Sequence, residues 1–198
     1  METKTHQQTL DLTNDLKELT RLATSEQSES ELLRRGLDWL SRVAPYDLAT
    51  VLELAGEELV VRMARGTLAD DRVQEHSLSL DKFPTIREAL ENRRARIFTE
   101  TDHAHGDGDP FDDVIGFPPG HSCMVVPLCA GEERLGVLTL DCSVCKPYPP
   151  HVVSLAEVYG QLLAIALQNA RQKGVLGRLH EQRRQYAQLL ETERRNHP

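Results

Sequence analysis

Histidine, cysteine and aspartate crowd into one short stretch of this chain. His121 and Cys123 stand two apart in an apolar run that reads as a β-strand, and Asp141 ends the next such run. Side chains alternate along a strand, so His121, Cys123, Val125 and Pro127 share one face. Leu135, Val137, Thr139 and Asp141 share a face of the neighbour. A three-residue hairpin loop at Ala130-Gly131-Glu132, with Gly131 supplying the unusual backbone angle, pairs Cys129 with Glu133. Counting back from there, Cys123 lies opposite Thr139 and His121 opposite Asp141, with Cβ atoms roughly 5 Å apart. A slip of one residue would send Asp141 to the other face. Just upstream, a tight turn at Asp109-Pro110-Phe111-Asp112 can point both carboxylates the same way. One imidazole, one thiol and two or three carboxylates around a point make a mononuclear metal site. That donor mix suits Fe(II) and admits Zn(II) or Co(II). Each residue also has a plainer use: a strand cysteine as core, a loop aspartate as turn former, a strand-end aspartate as cap.

The elements that must carry these residues are legible from periodicity. Leu12, Leu16, Leu19 and Ala23 predict a helix over Leu10 to Ala23, and Thr24 to Ser30 reads as a hinge or cap. Leu33, Leu37, Leu40 and Val43 predict a second helix that Pro45 ends. Tyr46 to Leu54 and Glu58 to Ala64 read as strands joined by a turn at Ala55-Gly56-Glu57. Short strands follow at Ser77 to Leu80 and Ala95 to Phe98, around a helix opened by Pro84 with Ile86, Ala89 and Leu90 on its inner face. Thr99 to Gly120 is a long loop, and a loop of that length inside a compact domain is usually functional. From Pro149 the chain reads as helix to near its end. This order suits an α+β fold, with terminal helices on one face of an antiparallel sheet and the mid-chain helix and loop on the other.

Late in the last helix, Leu162, Asn169, Leu176, Arg183 and Leu190 fall seven apart. Ile165, Gln172, Leu179, Tyr186 and Glu193 take the companion positions. A seam so interrupted by polar residues suits a marginal coil, and the expectation is a parallel homodimer; a single solvated helix is the other reading. The division expected is an N-terminal helix and hinge over 1–30, a sensor domain over 31–172 and a helical extension over 173–198.

With 23 Lys+Arg against 31 Asp+Glu, the formal net charge is -8, which argues against a nucleic-acid partner. No apolar run approaches the roughly 20 residues of a membrane span, and no signal peptide precedes the domain, so a cytoplasmic protein with reduced thiols is expected. Cys142-Ser143-Val144-Cys145 is a C-x-x-C without the second pair of a zinc ribbon. Cys142 and Cys145 are a possible redox pair or else strand-end residues. His103 and His105 sit in the long loop, within possible reach of a metal or simply solvated. No phosphate-loop, dinucleotide, zincin or serine-hydrolase motif occurs.

The hairpin Gly120-His-Ser-Cys-Met-Val-Val-Pro-Leu128, with Ala130-Gly131 and Leu135-Gly-Val-Leu-Thr-Leu-Asp141, resembles the hallmark hairpin of GAF domains. With Asp109-Pro-Phe-Asp112 it is most similar to the regulatory domain of nitric-oxide-responsive, sigma-54-dependent transcriptional activators. The resemblance implies a GAF-type sheet between helices. It also implies that Asp109, Asp112, His121, Cys123 and Asp141 hold a mononuclear non-haem iron (zinc being the other possible metal) that binds nitric oxide, with Phe111, Val125 and Thr139 lining the pocket. It implies further that the domain restrains an AAA+ activator ATPase, in cis or in trans. The chain departs from that pattern at Phe111, where the relative carries Tyr, and at Glu91, which takes the place of an arginine; Arg87, Arg93 or Arg94 would have to serve instead. Without a nucleophile-base-orienter set, a binding module is expected and not an enzyme. The other expectations open for a GAF domain are a sensor of an organic ligand, aromatic or nucleotide, and a cysteine-dependent sulfoxide reductase.

Overall fold

In the computed structural model, the described residues are 17, 21, 28–98, 108–111, 113–117, 121–143 and 148–196. The expected helix over Leu10 to Ala23, apart from residues 17 and 21, the loop histidines His103 and His105, and Asp112 and Cys145 lie outside them. The elements are α1 (Glu29–Leu40), β1 (Leu48–Ala55), β2 (Glu58–Arg65), α2 (Asp71–Gln74), β3 (Ser77–Ser79), α3 (Pro84–Asn92), β4 (Arg96–Phe98), β5 (Ser122–Ala130), β6 (Glu133–Cys142) and α4 (Pro150–Asn196). The single turn α2, capped by Asp70 through Val73 N at 3.0 Å, is too short to leave a periodic signal in the sequence.

The six strands form one antiparallel sheet in the order β3-β2-β1-β6-β5-β4. Alternation assigns its two faces. Ala49, Val51, Met124, Val126, Leu138 and Leu140 meet α1 and α4. Leu48, Leu52, Cys123, Val125 and Val137 meet α3, α2 and the Phe111 loop. The layering is the one expected.

At α1, the Ser28 hydroxyl accepts from Glu31 N at 3.3 Å and Glu29 and Glu31 place negative charge in the first turn, where the helix dipole favours it. The first half of α4 lies on β5. Contrary to the expectation that no stretch could cross a membrane, the helix Pro150–Leu190 contains an 18-residue window of mean hydropathy 1.3, apolar enough to do so by length and composition. Packing explains that apolarity: 44% of the window is buried, with Ala156, Tyr159, Leu163, Ala164 and Leu167 in the sheet-facing core.

Where α1 crosses α4, Gly36 makes room for the Tyr159 ring, which stacks on Trp39 at 5.1 Å. The Tyr159 hydroxyl is buried and has no hydrogen-bond partner among the described residues. A Cβ at Gly36 would collide with that hydroxyl, while the next atoms, Leu163 Cδ1 at 3.4 Å and Tyr159 Cζ at 3.6 Å, would be in ordinary contact. A double-mutant cycle by chemical denaturation should therefore show strong coupling. Gly36→Ala alone should cost roughly 2 kcal/mol through overpacking. Tyr159→Phe alone should be neutral or stabilising by about 1 kcal/mol, since it removes an unsatisfied hydroxyl. In the Phe background the alanine should become harmless and regain helix propensity. Additive effects would contradict this packing.

Candidate functional site

The β5–β6 hairpin closes on a two-residue turn, Gly131-Glu132, with Gly131 at φ 58° and Ala130 paired to Glu133. This corrects the expected three-residue loop. A second irregularity follows: Cys129 pairs with Arg134 but Leu128 with Gly136, so Leu135 is an extra residue in β6. The shorter turn and the bulge together move the register by two residues. Two is an even number, so the faces survive while the partners change. Cys123 lies opposite Asp141 instead of Thr139, Val125 lies opposite Thr139, and His121 precedes the paired region.

The cluster is buried. Cys123, Thr139 and Asp141 are wholly shielded from solvent, and Asp109 and His121 nearly so. Thr139 Oγ1 donates to Asp141 Oδ2 at 3.3 Å and sits 2.7 Å from Thr50 Oγ1 on β1. Thr50 escaped the sequence reading. The available signal was a hydroxyl residue between Leu48 and Leu52 on a strand that otherwise carries apolar residues to that face.

Asp109 enters from the loop. Its Oδ1 accepts from Phe111 N at 2.7 Å, a local turn that fixes the carboxylate, and its Oδ2 meets His121 Nε2. The Phe111 side chain is fully buried beside α3, and its carbonyl accepts from Val114 N and Ile115 N. His76, which the sequence reading passed over, holds the same turn from the other side: Nε2–H donates to the Pro110 carbonyl at 2.9 Å, and the ring lies 5.5 Å from that of Phe111. Phe117 stacks on His121 at 4.7 Å.

Electrostatics set the resting state. Burial, and then the charge of Asp109, push Asp141 up to about 8, while hydrogen bonds from Cys123 and Thr139 work the other way. Burial, then Asp141 and Asp109, push the Cys123 thiol well up. At neutral pH the fold therefore holds Asp141 as the acid and Cys123 as the thiol. Asp141 Oδ1 is buried without a hydrogen bond of good geometry. Two groups that burial keeps protonated, one of them with an unsatisfied carboxyl oxygen, are donors that a cation could claim by displacing their protons. The donor set fits iron or zinc in kind. In the arrangement seen, however, Asp109 engages His121 and Asp141 engages Cys123 and Thr139. Among the described residues no three His, Cys, Asp or Glu side chains form a ready cage. Four of the five expected ligands are brought together; the fifth, Asp112, is outside the described residues.

The remaining expected residues divide. Phe111 and Val125 pack in one apolar cluster with Cys123, and Thr139 bonds to Asp141. Cys142 is half-buried at the end of β6, and its expected partner Cys145 is outside the described residues. Of the substitutes for the missing arginine, Arg87 is bonded to Glu57 and Asp81, and Arg93 to Glu132, all at the surface. A groove of about 520 Å³ lies away from the cluster, between the hairpin turn and α4, with Arg93, Cys129, Glu157 and Val158 on its walls.

A family model described as GAF domain matches residues 26–168. Solved structures of the same fold include the GAF domain of a phosphoenolpyruvate-protein phosphotransferase from Coxiella burnetii, with 17% identity, TM-score 0.66, and 83% of this chain and 96% of that one covered. A second is the A. aeolicus nlh2 GAF domain in an inactive state, with 16% identity, TM-score 0.60, and 79% and 94% covered. A third is free methionine-R-sulfoxide reductase from Neisseria meningitidis with its substrate, with 16% identity, TM-score 0.63, and 80% and 89% covered. A search of curated proteins gave no match.

Proposed function

The chain belongs to the GAF domain family, a regulatory sensor fold, and from that premise we propose that it senses nitric oxide through a ferrous ion held by the buried cluster. The observation that carries the reading is the burial of Asp109, His121, Cys123 and Asp141 in one place, with Asp141 held neutral by that burial and by the charge of Asp109. Asp109, Asp112, His121, Cys123 and Asp141 would hold the metal. Ferrous iron among anionic ligands supplies an electron-rich coordination position, which is what nitric oxide binds.

The chain's own residues do the rest. Asp141 and Cys123 give up their protons as a cation enters, so loading releases acid and strengthens with pH. Thr139 keeps Asp141 oriented through Oδ2. The Asp109-Pro110-Phe111 turn is the part best placed to move, because it stands on a loop while the other described ligands stand at the start of β5 or on β5 and β6. Phe111 packs in the same cluster as Ile86, Ala89 and Leu90, so displacement of the turn is felt by α3. Strain in β5 and β6 reaches α4 through Met124, Val126, Leu138 and Leu140 on the opposite face. For a switch, the effector must favour one arrangement by a few kcal/mol, since equal affinity shifts nothing. The output in this reading is a sigma-54-dependent AAA+ activator, in cis or in trans, in the cytoplasm.

Binding suits Cys123 better than catalysis does. A nucleophilic cysteine needs a lowered pKa, and this one is raised by burial. The test is iron retention. After anaerobic loading and desalting, wild-type protein should keep about one iron per chain, and Cys123→Ser and Asp141→Ala should keep at least roughly tenfold less with unchanged circular dichroism. Wild-type protein that never exceeds trace iron would sink the metal and favour an organic ligand.

A further inference from the structure

Beyond Arg171, α4 leaves its own domain, and residues 172–190 are exposed throughout. The exposed side chains include Val175, Leu176, Leu179, Tyr186, Leu189 and Leu190, at 46% to 69% exposure. Gly174 and Gly177 lower the intrinsic stability of this stretch as a lone helix. The stripe also does not begin at the tail. Ile165, exposed on the outer face of α4 where its inner face packs on the sheet, stands in the same seven-residue series as Leu179 and Tyr186. A seven-residue period of apolar residues, here interrupted at Asn169, Gln172 and Arg183, is the signature of pairing with another helix.

We propose that a second copy of this chain covers the stripe, and that the two α4 helices run antiparallel. The layers argue for that direction. In a parallel, in-register pair Arg183 would face Arg183 of the second copy, and two tails of like charge would lie side by side. Residues 172–198 hold six Lys or Arg against three Asp or Glu. In the antiparallel arrangement that sets Leu176 against Leu179 of the second copy, Ile165 meets Leu190, Asn169 meets Tyr186 and Gln172 meets Arg183. Leu and Ile then face Leu, while Asn169 meets the Tyr186 ring and hydroxyl and Gln172 meets Arg183 without a charge clash. Each basic tail also lies along the body of the other copy, where residues 1–171 hold 17 Lys or Arg against 28 Asp or Glu. The overlap, residues 165–190, is about 39 Å of helix at 1.5 Å per residue. Pairing of the two helices needs neither metal nor effector.

The experiment uses the full chain with Cys129, Cys142 and Cys145 changed to serine. I165C and L190C are made as separate variants. Each alone should give little cross-link under mild oxidation, and the two mixed should form a covalent dimer at least tenfold faster. Sedimentation should show a dimer for the parent and a monomer for L176E/L179E, with circular dichroism confirming that the domain stays folded. Two results would overturn the proposal. One is self-cross-linking of each single variant with no gain on mixing, which marks a parallel pair. The other is a monomeric parent at high micromolar concentration, which leaves the stripe to the N-terminal segment or to a different protein.

Discussion

Asp141→Asn should stabilise the metal-free protein at pH 8 and abolish the iron binding proposed above. The two effects come from one cause. The carboxyl is raised to about 8 in the fold by burial and by Asp109, against an ordinary value of 3.8. An acid whose folded pKa lies above its unfolded one binds more protons when folded, so stability falls as pH rises between the two values. Below pH 4 both states are protonated and nothing is lost. From pH 4 to 8 the wild-type fold must keep a proton that the unfolded chain releases, and above 8 the loss is complete. Asparagine carries no charge in either state, so its advantage should be near zero at pH 4 and grow to roughly 2–4 kcal/mol at pH 8. Denaturation midpoints across that range measure it. A variant equally stable at both pH values would show that Asp141 is not held neutral. A residue that served only the fold would not lower stability while improving iron retention.

Gly136→Ala should cost the fold itself. Gly136 follows the Leu135 bulge, at φ 151°, opposite Glu53 of β1. A Cβ there would run into the Leu52 carbonyl oxygen and come within 3.0 Å of Glu53 Cα. Both obstacles are backbone of the adjacent strand, which cannot rotate aside. The expected loss is about 4 kcal/mol or more, a large share of what a domain of this size possesses. Gly131→Asn is the control, because Gly131 meets nothing within 4 Å and asparagine tolerates its left-handed conformation. Differential scanning calorimetry should show Gly136→Ala with a collapsed or absent transition and Gly131→Asn close to wild type. A well-behaved Gly136→Ala protein would mean that the strands are not packed this closely.

What was legible in the sequence follows period and chemistry. Leu33-Leu37-Leu40 and the alternation in β5 and β6 gave the elements, the layers and the shared face of Cys123 and Asp141, because burial on one side imposes a period. The partner across the hairpin was not legible. The turn length at Gly131-Glu132 and the bulge at Leu135 are local backbone choices that several sequences share, and only an even total shift kept the two residues together. Thr50 and His76 were missed for a different reason. Each reaches the site from a segment far away in the chain, by one hydrogen bond, and neither stands in a motif. The outer stripe of α4 was half visible: its period was plain, but Ile165 could not be told from core until the sheet took the other face of the helix.

The central claim, that the buried cluster takes up ferrous iron as a receiver for nitric oxide, is tested most directly by electron paramagnetic resonance. Wild-type protein is loaded with Fe(II) without oxygen, desalted and exposed to nitric oxide, with Cys123→Ser and Asp141→Ala treated alongside. The account predicts a half-integer-spin signal in the wild type that integrates to most of the bound iron and is lost in both variants. The contradicting result is a wild-type protein with no such signal, or one whose signal survives in both variants unchanged.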